Sequence, residues 1–230
     1  MSEQVALSDL SVVIGMPVNR PIPVQTVQSL VGTAHACAKA GIPFELVTPA
    51  CTVLQVGRDM VVDYFLRSGA NRLFWVDSDI AWNTPDFFKM LALSKRVDVV
   101  TAAYPTKVEG RPVFATKMIG NSIQTDGPYG LAEIEGIGLG FALMTRDVVD
   151  AVAKTKPVLR EALGNRDLAQ VFRFDVVDGT LRTEDIAFFA DIREAGFKVW
   201  LDPTIPLGHI GERMWHGAMI DAFKPVKERE

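Results

Sequence analysis

The run Leu73-Phe74-Trp75-Val76, followed at once by Asp77-Ser78-Asp79, constrains the fold more than any other stretch of the chain. Four consecutive apolar residues, preceded by Gly69-Ala70-Asn71-Arg72 and followed by Asn83-Thr84-Pro85, read as a strand buried on both faces of a parallel sheet. Ligands in open α/β sheets bind beyond the carboxyl ends of the strands, and Asp77 and Asp79 fall at that end. Alternation in an extended chain would point both carboxylates the same way and turn Ser78 aside. Two like charges ~4 Å apart repel by roughly 4 kcal/mol at an effective dielectric of about 20. A divalent cation between them reverses the sign of that interaction. Oxygen ligands suit Mg²⁺ or Mn²⁺, which substrate phosphates commonly complete, so the expected chemistry is a metal-held diphosphate. The D-x-D tripeptide by itself carries little weight in a chain with this many acids; its place at the end of a buried strand gives it meaning.

The flanking pattern supports a layered fold. Ser11 to Gly15 is a short β-branched run, and Met16 to Pro23 is a Pro-rich loop leading into a helix from about Thr26 to Ala40, closed by Gly41. Phe44 to Val47 is the next strand, and a helix from about Arg58 to Arg67 delivers the chain to the central strand. Thr84-Pro85-Asp86 opens a helix running to about Ser94, and Val97 to Ala102 returns as a strand. Four strands alternating with three helices predict a parallel half with right-handed crossovers.

The second half is mixed. Tyr104 to Gly130 is rich in turn residues, with strands expected near Val113 to Met118 and Leu131 to Glu135. Gly136-Ile137-Gly138-Leu139-Gly140 precedes the apolar run Phe141 to Met144. It lacks the spacing of a dinucleotide fingerprint, so its glycines are expected to let the backbone approach a ligand or another strand. Asp147 to Ala153 reads as a short helix, Pro157 to Arg166 as a loop, and Val171 to Val176 as a strand. Thr183-Glu184-Asp185 opens a helix to Ala195, capped by Gly196. Lys198 to Leu201 is a late strand, followed by a loop carrying His209 between Gly208 and Gly211. Met214 to Phe223 reads as a short helix or lid, with a charged tail beyond Pro225.

A length of 230 residues suits one sizeable domain, and 48% hydrophobic with 23% charged residues excludes a disordered chain. The net charge of −4 argues against a strongly basic nucleic-acid surface. Cys37 and Cys51 lack metal-type spacing and read as structural thiols in a reducing compartment. No apolar run reaches the ~18 residues of a membrane span, and the acids of the first ten residues are unlike a signal peptide, so a cytoplasmic protein is expected.

A strand ending in D-x-D, then a glycine-rich segment, an E-D pair opening a helix and a late histidine make an order that resembles the GT-A glycosyltransferases. The likeness is closest to the broad family-two type and runs from about Ser11 to His209. It implies a single GT-A domain with a mostly parallel central sheet flanked by helices. Residues up to about 105 would be the nucleotide-sugar-binding half, about 106–211 the acceptor and catalytic half, and 212–230 a C-terminal helix and tail. The implied activity is transfer of a sugar from a nucleotide-sugar, UDP-sugar favoured, with Mn²⁺ or Mg²⁺. On this likeness Asp77, Ser78 and Asp79 form the D-x-D, Asp77 and Asp79 are metal ligands, and His209 completes the metal or diphosphate site. Asp185, with Glu184 beside it, matches the pair that supplies the general base of inverting members. Acids in a first helical turn are also favoured by the helix dipole alone. The loop holding Pro17, Asn19 and Arg20 is placed to bind base and ribose, and Arg58 to reach the diphosphate. The acid that often follows the second strand in family-two members is absent at Leu46-Val47-Thr48-Pro49.

Trp75 and Trp200 read as core, whereas Trp82 and Trp215 are placed either to stack on a sugar or to cover the sheet. Two rival readings remain: a nucleotidyltransferase, disfavoured because Met16 to Pro23 is not a glycine-rich basic loop, and a non-catalytic sugar- or nucleotide-binding protein on the same fold. The acceptor is open; polysaccharide, lipid-linked sugar, protein, small molecule and nucleic-acid base all fit.

Overall fold

A computed structural model describes residues 6–109, 112–120, 122–161 and 166–223. The first half of the chain runs β1 (Val12–Gly15), α1 (Val24–Ala40), β2 (Phe44–Val47), α2 (Leu54–Arg67), β3 (Arg72–Val76), β4 (Ile80–Ala81), α3 (Thr84–Leu93) and β5 (Val99–Thr101). Then follow β6 (Thr116–Met118), β7 (Ala132–Ile137), β8 (Phe141–Thr145), α4 (Arg146–Ala153), β9 (Val158–Glu161), β10 (Arg166–Ala169), β11 (Asp175–Val177) and β12 (Thr180–Arg182). The last elements are α5 (Glu184–Glu194), β13 (Val199–Leu201), β14 (Leu207–Ile210), β15 (Met214–Gly217) and a 3₁₀ turn over Met219–Phe223.

Eight strands form one sheet in the order β2-β1-β3-β8-β5-β13-β7-β6. Only β8 and β7 run against their neighbours, so six of the eight strands share one direction. Side chains alternate across this sheet and divide the interior in two. Leu73 and Trp75 of β3 and Ala142 and Met144 of β8 face a core completed by Phe65 of α2, Val152 of α4 and Phe188 of α5. Phe74 and Val76, with Phe141 and Leu143, face the other core, completed by Leu30 and Cys37 of α1 and Phe87 and Met90 of α3. The product is a helix–sheet–helix sandwich in which each fully buried large apolar side chain contributes about 1.5–3 kcal/mol. Burial pushes the Cys37 thiol up to about 11, which makes it an inert packing group.

Several expectations are corrected. β3 and β5 are not neighbours: β8 lies between them, antiparallel to both. All five residues of β8 are buried, and a strand with nothing to show to solvent belongs in the middle of a sheet. The second helix begins at Leu54, four residues before Arg58, because packing overrides the weak helix propensity of Gly57. Pro157 to Arg166 is not a plain loop, since β9 and β10 pair there, with residues 162–165 outside those described. The segment after Ile210 holds β15 and a 3₁₀ turn rather than a helix, and the charged tail from 224 onward lies outside the described residues. No described helix is long and apolar enough to cross a membrane.

Val171 and Phe172 are buried yet belong to no strand, contrary to expectation. Their N–H groups both donate to Asp59 Oδ1, at 2.9 Å each, so a side chain of α2 replaces a strand partner. Burial pushes the Asp59 carboxyl up to about 7 against the opposing pull of these two bonds. A carboxyl whose pKa is higher folded than unfolded favours the folded state at low pH. Its contribution is therefore lost as pH rises from about 4 to about 7. Asp59→Asn is expected to keep both bonds through its own Oδ1 and to flatten that decline. Asp59→Ala should cost about 1–3 kcal/mol for the orphaned Phe172 N–H, since the Val171 N–H keeps the Ala169 carbonyl at 2.9 Å. Urea midpoints recorded across that pH range check both.

Candidate active site

The chain turns sharply where β3 ends: the Ile80 N–H donates to the Asp77 carbonyl at 3.1 Å, closing a turn over Asp77-Ser78-Asp79. Extended alternation therefore does not hold here, and the two carboxylates diverge. Asp77 turns inward, with Oδ1 3.4 Å from Arg58 and Oδ2 accepting from the Tyr104 hydroxyl at 3.4 Å. Asp79 turns the other way, and its Oδ2 lies 2.6 Å from Lys107 Nζ, 3.7 Å from His209 Nε2 and 4.0 Å from Arg20. Ser78 is buried in the turn between them.

A cavity of about 310 Å³ opens on this turn. Pro17, Asn19 and Arg20 after β1, the D-x-D residues after β3, Tyr104 and Lys107 after β5, and His209 on β14 all line it. β1, β3 and β5 point the same way, so the cavity lies beyond their carboxyl ends. Every sequence-predicted donor-site residue except Arg58 is present in its wall.

The histidine arrives through pairing. β14 runs antiparallel to β4 with His209 opposite Ile80, and the Ile210 N–H donates to the Asp79 carbonyl at 2.8 Å. His209 Nδ1 lies 2.9 Å from the Pro105 carbonyl oxygen. A carbonyl only accepts, so Nδ1 carries a proton, and Nε2 is the ring nitrogen that faces Asp79. A carboxylate and a ring nitrogen that meet 3.7 Å apart in one cavity, with the second ring nitrogen anchored on a carbonyl, make a pair that a divalent cation could share once Nε2 is deprotonated. Among the described residues no group of three or more His, Cys, Asp or Glu stands ready to hold a metal. The protein thus offers a pair, Asp79 and His209, which fits an ion that phosphates and water complete. Asp77, expected as a third ligand, is taken by Arg58 and Tyr104. Burial works against the Asp79 carboxylate, but His209 and Lys107 hold it down at about 2.

Arg58 lies beneath the cavity rather than in it. It is 2% exposed, a full turn inside α2, and reaches Asp77, Glu184 at 3.2 Å and Asp185. Its guanidinium also sits over the Phe172 ring, 5.5 Å from the centroid. The expectation that it contacts diphosphate is corrected: its donors are spent on carboxylates. Glu184 and Asp185 stand in the first turn of α5, as the sequence indicates, and the Asp185 side chain remains 19% exposed. Burial raises the Asp185 carboxyl and Glu184 adds to that, while Arg58 and the Leu139 N–H oppose it. Burial likewise raises Asp77 against the pull of Arg58. Tyr104 is raised well above its ordinary value by burial and by the charges of Asp77 and Asp185, so it stays a phenol and a donor.

Gly140 explains the glycine-rich segment. A Cβ there would lie 2.6 Å from the Tyr104 ring and 2.7 Å from Asp77 Oδ2, and the Gly140 carbonyl accepts from the Asp77 N–H at 3.1 Å. The close approach serves the acidic turn and its tyrosine. Trp82 proves to be core, 6% exposed with its Nε1 donating to Thr33. Trp215 is half-buried on β15, with its Nε1 donating to the Val108 carbonyl. Sequence reasoning missed Tyr104 and Lys107, whose one signal was their place in the loop directly after a predicted strand.

No family model matches the sequence, and no curated protein does. Among solved structures, A197 from STIV is 17% identical, with 92% of this chain covering 91% of that one at a TM-score of 0.56, a likeness that shows a shared fold. A glycosyltransferase involved in glycosylation of the major capsid of PBCV-1 matches at 12% identity over 61% of this chain and 62% of its own, with a TM-score of 0.36. A mutant of Drosophila β1,4-galactosyltransferase 7, in complex with manganese, UDP-Gal and xylobiose, matches at 11% identity over 85% of this chain and 66% of its own, with a TM-score of 0.48.

Removing Arg58 tests whether one cation holds this cluster together. Arg58→Met leaves Asp77, Glu184 and Asp185 without a counter-charge and should destabilise the fold at neutral pH by about 3–5 kcal/mol. With the cation gone, the carboxyls of Asp77 and Asp185 sit still further above their unfolded pKa values, so stability should return as pH falls and they protonate. Thermal melts at neutral and acid pH read this difference.

Proposed function

We propose that the chain is a metal-dependent GT-A glycosyltransferase that moves a sugar from a nucleoside diphosphate, with UDP-sugar favoured, to a hydroxyl acceptor with inversion. The observation that carries this reading is the meeting, in one cavity beyond the strand ends, of the loop of Asn19 and Arg20, the acidic turn of Asp79 and the ring of His209. Pro17, Asn19 and Arg20 would hold the nucleoside. Asp79 and His209 would hold Mn²⁺ or Mg²⁺, which when bound supplies positive charge against the charge developing on the leaving diphosphate. Asp77, pinned by Arg58 and Tyr104, would fix the turn on which Asp79 stands.

In this reading Asp185 accepts the proton of the acceptor hydroxyl as that oxygen bonds to the anomeric carbon. The bond from the same carbon to the diphosphate breaks on the opposite face, and its electron pair leaves with the diphosphate. Arg58 and the Leu139 N–H keep Asp185 ionised and oriented, and burial keeps it basic enough to take a proton. Glu184 shares the hold on Arg58.

Water can stand in for the acceptor, so release of UDP from a UDP-sugar in the presence of Mn²⁺ reads the chemical step. Asp185→Asn is expected to lower that rate by about 10²–10⁴-fold while calorimetry shows donor binding intact. Asp79→Ala and His209→Ala should abolish the metal dependence of binding. The base must be ionised, so the rate should fall as pH falls, with a limb above the ordinary aspartate range because the Asp185 pKa is raised. Undiminished turnover in Asp185→Asn would remove it from the mechanism, and binding without turnover in wild type would make the chain a binding protein.

A further inference from the structure

Among the described residues Lys107 is the cation nearest the acid expected to hold the metal, its ammonium 2.6 Å from Asp79 Oδ2 against 4.0 Å for Arg20. That oxygen is the same one that His209 Nε2 faces at 3.7 Å. The position is built rather than casual. The loop bearing Lys107 is pinned on both sides, before it by the Thr106 N–H donating to the Val113 carbonyl at 2.7 Å and the Pro105 carbonyl holding His209, and after it by Trp215 Nε1 donating to the Val108 carbonyl at 3.1 Å. The lysine stem passes directly over Gly211, where an added Cβ would lie 3.1 Å from Lys107 Cδ. A side chain at that position would obstruct the path of the stem.

On the reading of the cavity as a metal–nucleotide site, we infer that Lys107 is a tethered cation that holds the metal seat on Asp79 until metal and diphosphate arrive together. A divalent ion binding alone has to displace the ammonium from a half-buried carboxylate, leaving Lys107 in the cavity without a partner. An ion that brings a diphosphate offers the released ammonium new oxygens in the same cavity, so the displacement is compensated. Metal and nucleotide are thereby coupled through one side chain, and by linkage each strengthens the other. The site stays closed to free divalent ions and opens to the metal–diphosphate pair.

The test is Mn²⁺ binding followed by the electron paramagnetic resonance signal of the free ion, in wild type, Lys107→Met and Lys107→Arg, with and without UDP. Lys107→Met keeps the stem and removes the charge; it should bind Mn²⁺ alone about tenfold or more tightly than wild type, and gain less from UDP. Lys107→Arg should bind Mn²⁺ alone as weakly as wild type. Lys107→Gln, run in parallel with circular dichroism, guards against a misfolded variant. Mn²⁺ affinity in the neutral variants no higher than in wild type, including no binding at all, overturns the inference. If UDP binds wild type in a metal-dependent way while the neutral variants gain no affinity for Mn²⁺, the inference fails and the donor reading stands. If the neutral variants gain Mn²⁺ affinity but UDP binds none of the proteins, the donor reading fails and the coupling to diphosphate fails with it, while the hold of Lys107 on the metal seat stands.

Discussion

A guanidinium removed from water survives only where carboxylates surround it, and Arg58 meets three of them while 2% exposed. One comes from the turn after β3 and two from the start of α5, so a single side chain of α2 ties together segments as far apart as 127 positions in sequence. The cluster remains net negative even so. The surplus charge, together with burial, is what raises the carboxyls of Asp77 and Asp185. The structural tie and the chemical setting of the candidate base therefore have one origin.

The small sheet of β15, β14 and β4 performs a comparable task on the other side of the cavity. Directly after Asp79, the chain pairs with β14, which places a histidine from position 209 opposite position 80. The Pro105 carbonyl then sets which ring nitrogen faces the acid. Backbone pairing brings the ring to the site, and one hydrogen bond fixes its tautomer.

These two arrangements explain which parts of the site were legible in the sequence. Asp77 and Asp79 stand where an apolar run stops and polar residues begin, and Asp185 stands in the first turn of a helix. Both boundaries are visible in a linear pattern, whereas His209, inside β14, was singled out by its place late in the order of motifs. Pro17, Asn19 and Arg20 follow from the same logic after β1. What could not be seen is direction. The turn that splits Asp77 from Asp79 depends on a single hydrogen bond, and the burial of Arg58 depends on partners 19, 126 and 127 residues away. Lys107 and Tyr104 lie in a stretch without periodicity, where only tertiary contacts distinguish a functional side chain from a solvated one. For the fold, helices and strands with a clear period were readable, but the insertion of β8 between β3 and β5 was not, because local pattern fixes burial and leaves the choice of neighbour to the whole sheet. Val171 and Phe172 misled for a related reason: a buried apolar pair implies satisfied N–H groups, and here the acceptor was an aspartate instead of a strand.

The acids at the centre do different work because their surroundings push them apart. Asp79 meets Lys107, His209 and Arg20 at one oxygen and is held at about 2, so it stays a fixed anion, as a metal ligand must be. Asp185 and Asp77 share one buried arginine with Glu184 and are raised, so they hold protons more readily. Proximity alone would couple Asp77 and Asp79 and blur this difference. The turn limits that by aiming the two carboxylates at separate cations, Arg58 beneath the cavity and Lys107 within it, so that Asp79 adds only part of the rise at Asp77. The carboxyl proposed as a base and the one proposed as a metal ligand can then stand in one site without either taking on the character of the other.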